Sequence, residues 1–457
     1  MNQKRIGGGM EKIKLPTWSI YLGVILFLIT IGDLFGLINF HDVLGKGEAY
    51  DFVFVASLGA WIIMMIKNKR IYNPISREEW KWLIPLLVLV TYCIIEGIIL
   101  VVERRQGSIQ TIFVLRELGY LLLILPMLSF AYDTKAILRL IMVYDAVGCL
   151  IYLVEMVLGP LTRFHIDGKM EMGLYRFYSD NPMFAYFLCP LIIYSLANSI
   201  VFFSKKIDGM LLILYFGTMV LRFSKMQLGG LLVAMCIAFL TCRGTQFQKI
   251  LKQLGILALL LGIVTIILKI FFPSLFVFFY NGVIGLLNFT DLSTVRGQAD
   301  IPNTMAFRTR TMILRWNFLK QQGRILLGMG PLHNDSAVYL DIYDEANQGI
   351  IASDIAYGTI MIRYGIIGII VFIGSIVTFA ITMLKQKAFA AKSLGSYCIG
   401  ILIAAICGHV YLCFQAMLKL AFLIGIVFNI LREGQKESEH SNERHLIDKE
   451  LNHGNSL

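Results

Sequence analysis

Arg222 and Lys225 stand three residues apart in an otherwise apolar stretch, and a helix there makes them neighbours on one surface. Two adjacent cations in that setting repel and need an anionic counterpart. A structural carboxylate would serve, and so would the phosphate or pyrophosphate of a lipid-linked substrate. Further along, Arg308, Arg310 and Arg315 sit among Thr304, Thr309 and Thr311. On a helix Arg308 and Arg315 share a face while Arg310 points nearly opposite, so the three do not all serve one small site. Gly328-Met329-Gly330-Pro331 reads as a tight turn, followed by His333 and then by the acids Asp341, Asp344, Glu345 and Asp354. A lone G-x-G says little by itself, and a lone loop histidine is more often solvated than catalytic.

Other charges fall inside apolar runs: Asp33, Glu96, Arg116, Glu117, Asp145, Glu155, Lys269, Arg363 and Lys419. At membrane depth each costs about 2.5–3.5 kcal/mol unless paired or hydrated. Asp33, Lys269 and Lys419 lie near segment ends, where a long side chain can reach the interface. Arg116 lies too deep for that. It either pairs with an acid on a neighbouring helix, such as Asp145 or Glu155, or faces an aqueous site.

These residues need elements to hold them, and the elements are apolar helices. The chain is 57% hydrophobic and 16% charged with a mean hydropathy of +0.71, against roughly a quarter charged for soluble domains. Apolar runs of the length that crosses a bilayer as helix recur along it. They are Trp18–Asn39, Tyr50–Ile66, Trp82–Val102, Ile109–Ala131, Ala136–Leu158, Met183–Phe203, Met210–Phe223, Leu228–Thr241, Gln253–Phe276, Tyr357–Leu384, Leu394–Tyr411 and Phe414–Leu431. The expectation is an all-α polytopic membrane protein of about twelve transmembrane helices, without the short alternating segments of a β-barrel.

The net charge of +11 is not a nucleic-acid signature here, because lysines and arginines gather on alternate short loops as the positive-inside rule requires. That pattern places both termini in the cytoplasm. Glu103-Arg104-Arg105, an outside turn with two arginines, is the exception. Residues 1–17 form a cytoplasmic tail, 18–276 helices one to nine with an outer loop at 159–182, and 277–356 an extracytoplasmic cap loop, partly helical. Residues 357–431 carry helices ten to twelve, and 432–457 a polar cytoplasmic tail. The two short segments around Ser224 are open to a re-entrant or tilted reading. The eight cysteines fall in or beside apolar segments with no C-x-x-C pair, as small packing residues rather than disulfide or zinc ligands.

Three stretches carry a resemblance when taken together. Arg176-Phe-Tyr-Ser-Asp-Asn-Pro182 leads into a helix, and Leu221-Arg-Phe-Ser-Lys-Met-Gln-Leu-Gly229 lies between two. Arg310 is followed eighteen residues on by Gly328-Met-Gly330, then by Ser353-Asp354 and by Tyr364-Gly-Ile-Ile-Gly368 opening a helix. In order, spacing and membrane placement, these resemble the O-antigen polymerase and ligase superfamily, the Wzy-type polymerases and WaaL-type ligases. Members are membrane glycosyltransferases acting on polyprenyl-diphosphate-linked sugars. Lys225 departs from the family's usual arginine, keeping the charge and losing a bidentate fork. The His-Asn that ligases often carry before the last helix is Asp354-Ile355 here, which moves the chain towards the polymerases.

The resemblance implies polymerisation of lipid-linked oligosaccharide repeat units into a cell-surface polysaccharide, on the outer face of a bacterial cytoplasmic membrane. Arg310 is expected to hold the departing diphosphate first, with Arg176, Arg222 and Lys225 in support and Arg308 and Arg116 as further candidates. Asp354 is the expected base for the acceptor hydroxyl and His333 the reserve. No cofactor and no metal is expected, since the outer loops hold no Asp-x-Asp pair. The expected partners are the polyprenyl-diphosphate-linked oligosaccharide, membrane lipid, a chain-length regulator and a flippase, and no nucleic acid. A ligase moving a finished glycan to another acceptor shares nearly all these features. A lipid-linked glycan flippase is the rival from another class, one that favours internal repeats and broken helices facing each other.

Overall fold

Long apolar runs fold as helix because a helix satisfies every backbone N–H and C=O internally, which lipid demands. The computed structural model describes residues 16–38, 49–67, 74–162, 168–171, 174–177, 182–198, 200–222, 225–242, 304–333, 336, 356–407 and 416–435, with a few single positions between 262 and 277. In chain order the helices are α1 Thr17–Ile31, α2 Ala49–Lys67, α3 Arg77–Val102, α4 Ser108–Gly119, α5 Ile124–Ser129 and α6 Thr134–Leu158. A hairpin of β1 Gly168–Glu171 and β2 Leu174–Phe177 follows. Then come α7 Ala185–Ala197, α8 Lys205–Leu221, α9 Lys225–Thr241, α10 Thr304–Gln321, α11 Ala356–Leu384, α12 Phe389–Ala404 and α13, residues 416–435.

The chain is therefore predominantly helical. Four helical stretches, Arg77–Val102, Ser108–Ser129, Thr134–Leu158 and Ala356–Leu384, are long and apolar enough to cross a membrane. Their outward positions, such as Ile84, Val88, Ile95 and Ile98 on α3, stay exposed, as lipid-facing side chains do. Each expected apolar segment coincides at least in part with helix, except Gln253–Phe276, which lies almost entirely outside the described residues. Around Ser224 the chain forms two helices, α8 and α9, of 17 residues each. The hairpin is a correction to an all-helical expectation: it sits in the 159–182 connection, where paired strands satisfy the backbone of a polar segment.

Ends are fixed by identifiable caps. Ser76 and Glu79 form a reciprocal capping box at α3, and Arg432 of α13 grips the same Glu79, Nε to Oε1 at 2.7 Å. Asp133 accepts from the amides of Lys135 and Ala136 to start α6.

Two interior features shape the rest. Asp145, fully buried and about 16 Å up α6 from Thr134, accepts a hydrogen bond from the Phe184 amide at 2.8 Å. It thereby caps α7, a helix only about 20 Å long that starts deep in the bundle. Glu155 is spent likewise, accepting from the Leu161 amide at 3.1 Å. Neither acid forms the expected partner of Arg116, because each answers orphan amides nearer to hand.

The second feature is a break in α11. Gly365 has φ +63 and ψ −163, a conformation open essentially to glycine alone. From there to Leu384 the helix runs about 28 Å, enough by itself to cross the hydrocarbon core. The broken turn exposes backbone groups, and residues 325–330 satisfy them. Met329 and Gly330 donate to Ile362 and Arg363 oxygens, both at 2.7 Å. Ile366 and Ile367 donate to Ile325 and Leu326 oxygens at 3.0 and 3.2 Å. The two backbones approach so closely that a Cβ on Gly328 would lie 2.5 Å from the Gly365 nitrogen, and one on Gly365 would collide with the Leu326 oxygen.

Candidate functional site

Charged groups gather in two places, and they differ in how their charge is answered. The first surrounds the broken helix. Arg363, two residues before the break, points its Nη1 at the Glu117 carboxylate, 4.0 Å away. The neighbouring Arg116 meets Asp51 of α2 at 3.5 Å and lies over the Phe113 ring at 5.7 Å. Tyr120 donates to the same Asp51. Tyr92 donates to the Tyr364 oxygen at the break, 2.9 Å away. Arg116 is thus paired, with an acid that the sequence reading did not consider: α2 packs on the turn Tyr120–Leu123 that follows α4.

Above the break, the α3–α4 turn grips the segment around His333. Glu103 accepts a hydrogen bond from Arg324 and forms an ion pair with Arg105 at 3.1 Å. The Arg324 hydrogen bond holds the Glu103 carboxyl below the usual carboxylate range, and the charges of Arg324 and Arg105 add to that. Gln106, buried, accepts from the His333 amide at 2.7 Å and donates to the Pro331 oxygen at 3.1 Å. The His333 ring stands 6.4 Å from Phe113.

The second place lies at the end of α8 and the start of α9. Arg222 is 7% exposed. Its guanidinium lies 3.8 Å from the Met219 sulfur, and among the described residues no carboxylate stands within ion-pair distance. Lys225 is the first residue of α9, at a helix end that carries positive partial charge. The hairpin brings a third contribution. Arg176 on β2 is paired in register with Lys169 on β1, so two cationic positions face each other across the strands, an arrangement destabilising by itself. Tyr175 of β2 and Leu221 of α8 both pack on the Tyr152–Met156 cluster, which seats the hairpin on α6.

A third set of arginines belongs to α10, which packs on α11. Arg315 is fully buried, its guanidinium laid where a Cβ on Gly358 would collide with it, and this locks α10 onto the upper piece of α11. Position 308 lies on the same stripe as Arg315, and position 310 about 140° around the helix from Arg315, matching the expected division of faces. The side chains of Arg176, Lys225, Arg308 and Arg310 and the whole of Asp354 lie outside the described residues. At the foot of this assembly Tyr357 donates to the Leu402 oxygen at 2.7 Å. Gly230 of α9 meets Gly400 and Ala404 of α12. The end of α12 therefore joins the start of α11 to the start of α9.

Sequence reasoning missed Glu103, Gln106 and Arg324 as a unit. The signal available was the charge-rule exception at Glu103-Arg104-Arg105, an outside turn whose arginines call for acids. Glu117 and Arg363 both stood among the deep charges without being matched. No protein-family model matches the chain, and no curated protein matches it significantly.

Proposed function

We propose that this chain is a membrane glycosyltransferase that polymerises polyprenyl-diphosphate-linked oligosaccharide repeat units on the outer face of a bacterial cytoplasmic membrane. The reading takes the chain as about twelve spans with both termini inside and residues 277–356 as the outer cap. The observation that supports it best is Arg222: a buried guanidinium, no described carboxylate to answer it, and cationic positions 176, 169 and 225 on neighbouring elements. A dianionic diphosphate is the chemistry such a cluster stabilises.

In the reaction the hydroxyl of one lipid-linked unit attacks the anomeric carbon of the growing chain. The bond from that carbon to the diphosphate oxygen breaks, and the electron pair leaves with the diphosphate. Arg310, Arg176, Arg222 and Lys225 hold the charge that develops there, with Arg308 and Arg116 further from the centre. Arg116 contributes least, since Asp51 already answers it. The hydroxyl proton passes to a base, Asp354 or His333.

The broken α11 is the one observation that favours a flippase, because discontinuous helices build transporter sites. Its freed backbone groups are already taken by residues 325–330, so they are not offered to a substrate.

The test is reconstitution with lipid-linked repeat units, followed by chromatography of the lipid-linked glycans. A ladder of lengths is expected from the native chain, and unextended units from Arg310→Ala and Arg222→Ala. A single transferred block means a ligase. Long polymers from Arg310→Ala at normal expression sink the diphosphate assignment.

A further inference from the structure

The outside turn that breaks the charge rule has a use. Arg104 in that turn has φ +56 and is exposed, a left-handed conformation that a non-glycine residue adopts only when its surroundings impose it. What the twist achieves is visible on either side of it. Glu103 reaches Arg324, and Gln106 turns inward to meet residues 331 to 333.

The Gln106 amide treats that segment as a second strand would. Its oxygen accepts from the His333 amide at 2.7 Å while its nitrogen donates to the Pro331 oxygen at 3.1 Å. In extended backbone those two groups point the same way, so one side-chain amide fixes both. The same nitrogen also donates to Thr111 Oγ1 at 2.9 Å, and Thr111 Oγ1 in turn donates to the Gly107 oxygen at 3.2 Å. The clamp is therefore itself anchored to the first turn of α4. Gln106 is 6% exposed and Thr111 4%. Below, Gly330 lies against Leu100, and Pro331 near the position of a Cβ on Gly97. On the far side the Ser336 amide donates to the His333 oxygen at 2.9 Å. His333 is held through its backbone at both ends, partly exposed, with its ring beside Phe113.

We propose that Gln106 is a positioning residue that presents the His333 imidazole as the base for the acceptor hydroxyl. This rests on the transferase reading for the role of His333, and on geometry alone for the role of Gln106. In the step, the acceptor oxygen forms the new glycosidic bond to the anomeric carbon as the bond to the diphosphate breaks. The hydroxyl proton passes to a ring nitrogen of His333 and is later released to water. Positioned proton transfer of this kind is worth about 10²–10⁴-fold in rate. Loss of the position alone, with the imidazole kept, costs a part of that, about 10-fold.

Two measurements on the full-length chain in nanodiscs separate the claims. The first is the rate at which diethyl pyrocarbonate modifies His333, followed by peptide mass spectrometry, in the native chain, Gln106→Met and Gln106→Glu. Met keeps the shape of the side chain and loses all three of its hydrogen bonds. Glu keeps the acceptor for the His333 amide and loses the donor to Pro331. Modification is expected to rise several-fold in Gln106→Met and less in Gln106→Glu. Equal rates in all three overturn the positioning role, whatever the protein catalyses.

The second measurement is chain extension of lipid-linked repeat units by Gln106→Met, His333→Ala and the double variant. Gln106→Met is expected to lower kcat about 10-fold with KM little changed, and Gln106→Glu to recover part of it. His333→Ala is expected to lose about 100-fold or more, with the double variant losing no more than His333→Ala. Additive losses in the double variant, or full activity in His333→Ala, overturn the route through His333. Absence of extension by the native chain sinks the transferase reading and leaves the modification result to decide the clamp.

Discussion

The region around the α11 break carries partly buried arginines and the region between α8 and α9 a buried one, and they answer them differently. At the break each described arginine has an acid: Arg363 has Glu117, Arg116 has Asp51, Arg324 has Glu103. At the α8–α9 corner Arg222 has a sulfur, and the hairpin beside it sets Lys169 opposite Arg176. Charge balanced within the protein builds structure. Charge left unanswered among the described residues suits an anion that comes and goes.

That contrast can be broken by experiment, and the largest effect is expected where the charge is unanswered. Arg222→Ala should lower chain extension by about 100-fold or more, the scale of one lost donor to a developing oxyanion. Its melting temperature without substrate should stay close to the native value. A large fall in stability instead would make Arg222 a structural residue. The reverse is expected at the break. Gly365→Ala should destabilise by about 3 kcal/mol or more, since it forces a disallowed backbone region and a collision with the Leu326 oxygen. Detergent melting curves followed by tryptophan fluorescence would show it, and an unchanged curve would mean that the break is not strained.

Smaller effects sharpen the same division. Arg363→Ala strands the nearly buried Glu117 carboxylate and should cost about 2 kcal/mol, less than a tight buried pair because the two groups are 4.0 Å apart. Glu117→Gln should cost less than that. Equal costs would show that the pair is not the source. The smallest effect belongs to Glu103. Its carboxyl is held low in the folded state by Arg324, so its contribution is fully present above the unfolded carboxylate range and is lost as pH falls through the folded value. At a partly exposed site that is worth under about 1 kcal/mol. The melting-temperature gap between native chain and Glu103→Gln should therefore close on acidification and shrink in high salt. A gap that widens at low pH would contradict the ion pair.

Helix positions were legible because lipid imposes one rule, about twenty apolar residues per crossing, and four stretches meet it in full. The short α7 was not. Its start at Phe184 depends on Asp145, a carboxylate reached across the bundle, and no local pattern marks that link. The division of faces on α10 followed from helical phase alone, and one helix does run through positions 308, 310 and 315. Partner choice was the weak point. The sequence leaves Arg116 either to pair with a deep acid such as Asp145 or Glu155 or to face an aqueous site, yet it meets Asp51, near the start of α2. The G-x-G turn was legible as a turn, while its pairing with Gly365 needed the third dimension: two glycines thirty-seven residues apart in sequence serve a single close approach.

The repair of α11 also has a direction in time. Residues 325–330 precede the helix in the chain, so they leave the ribosome before the segment whose gap they fill. A broken helix arriving alone would hold bare amides and carbonyls at the edge of a solvent that offers no partners. Here the partners are made first, and the order of synthesis is itself part of how an interrupted span is assembled.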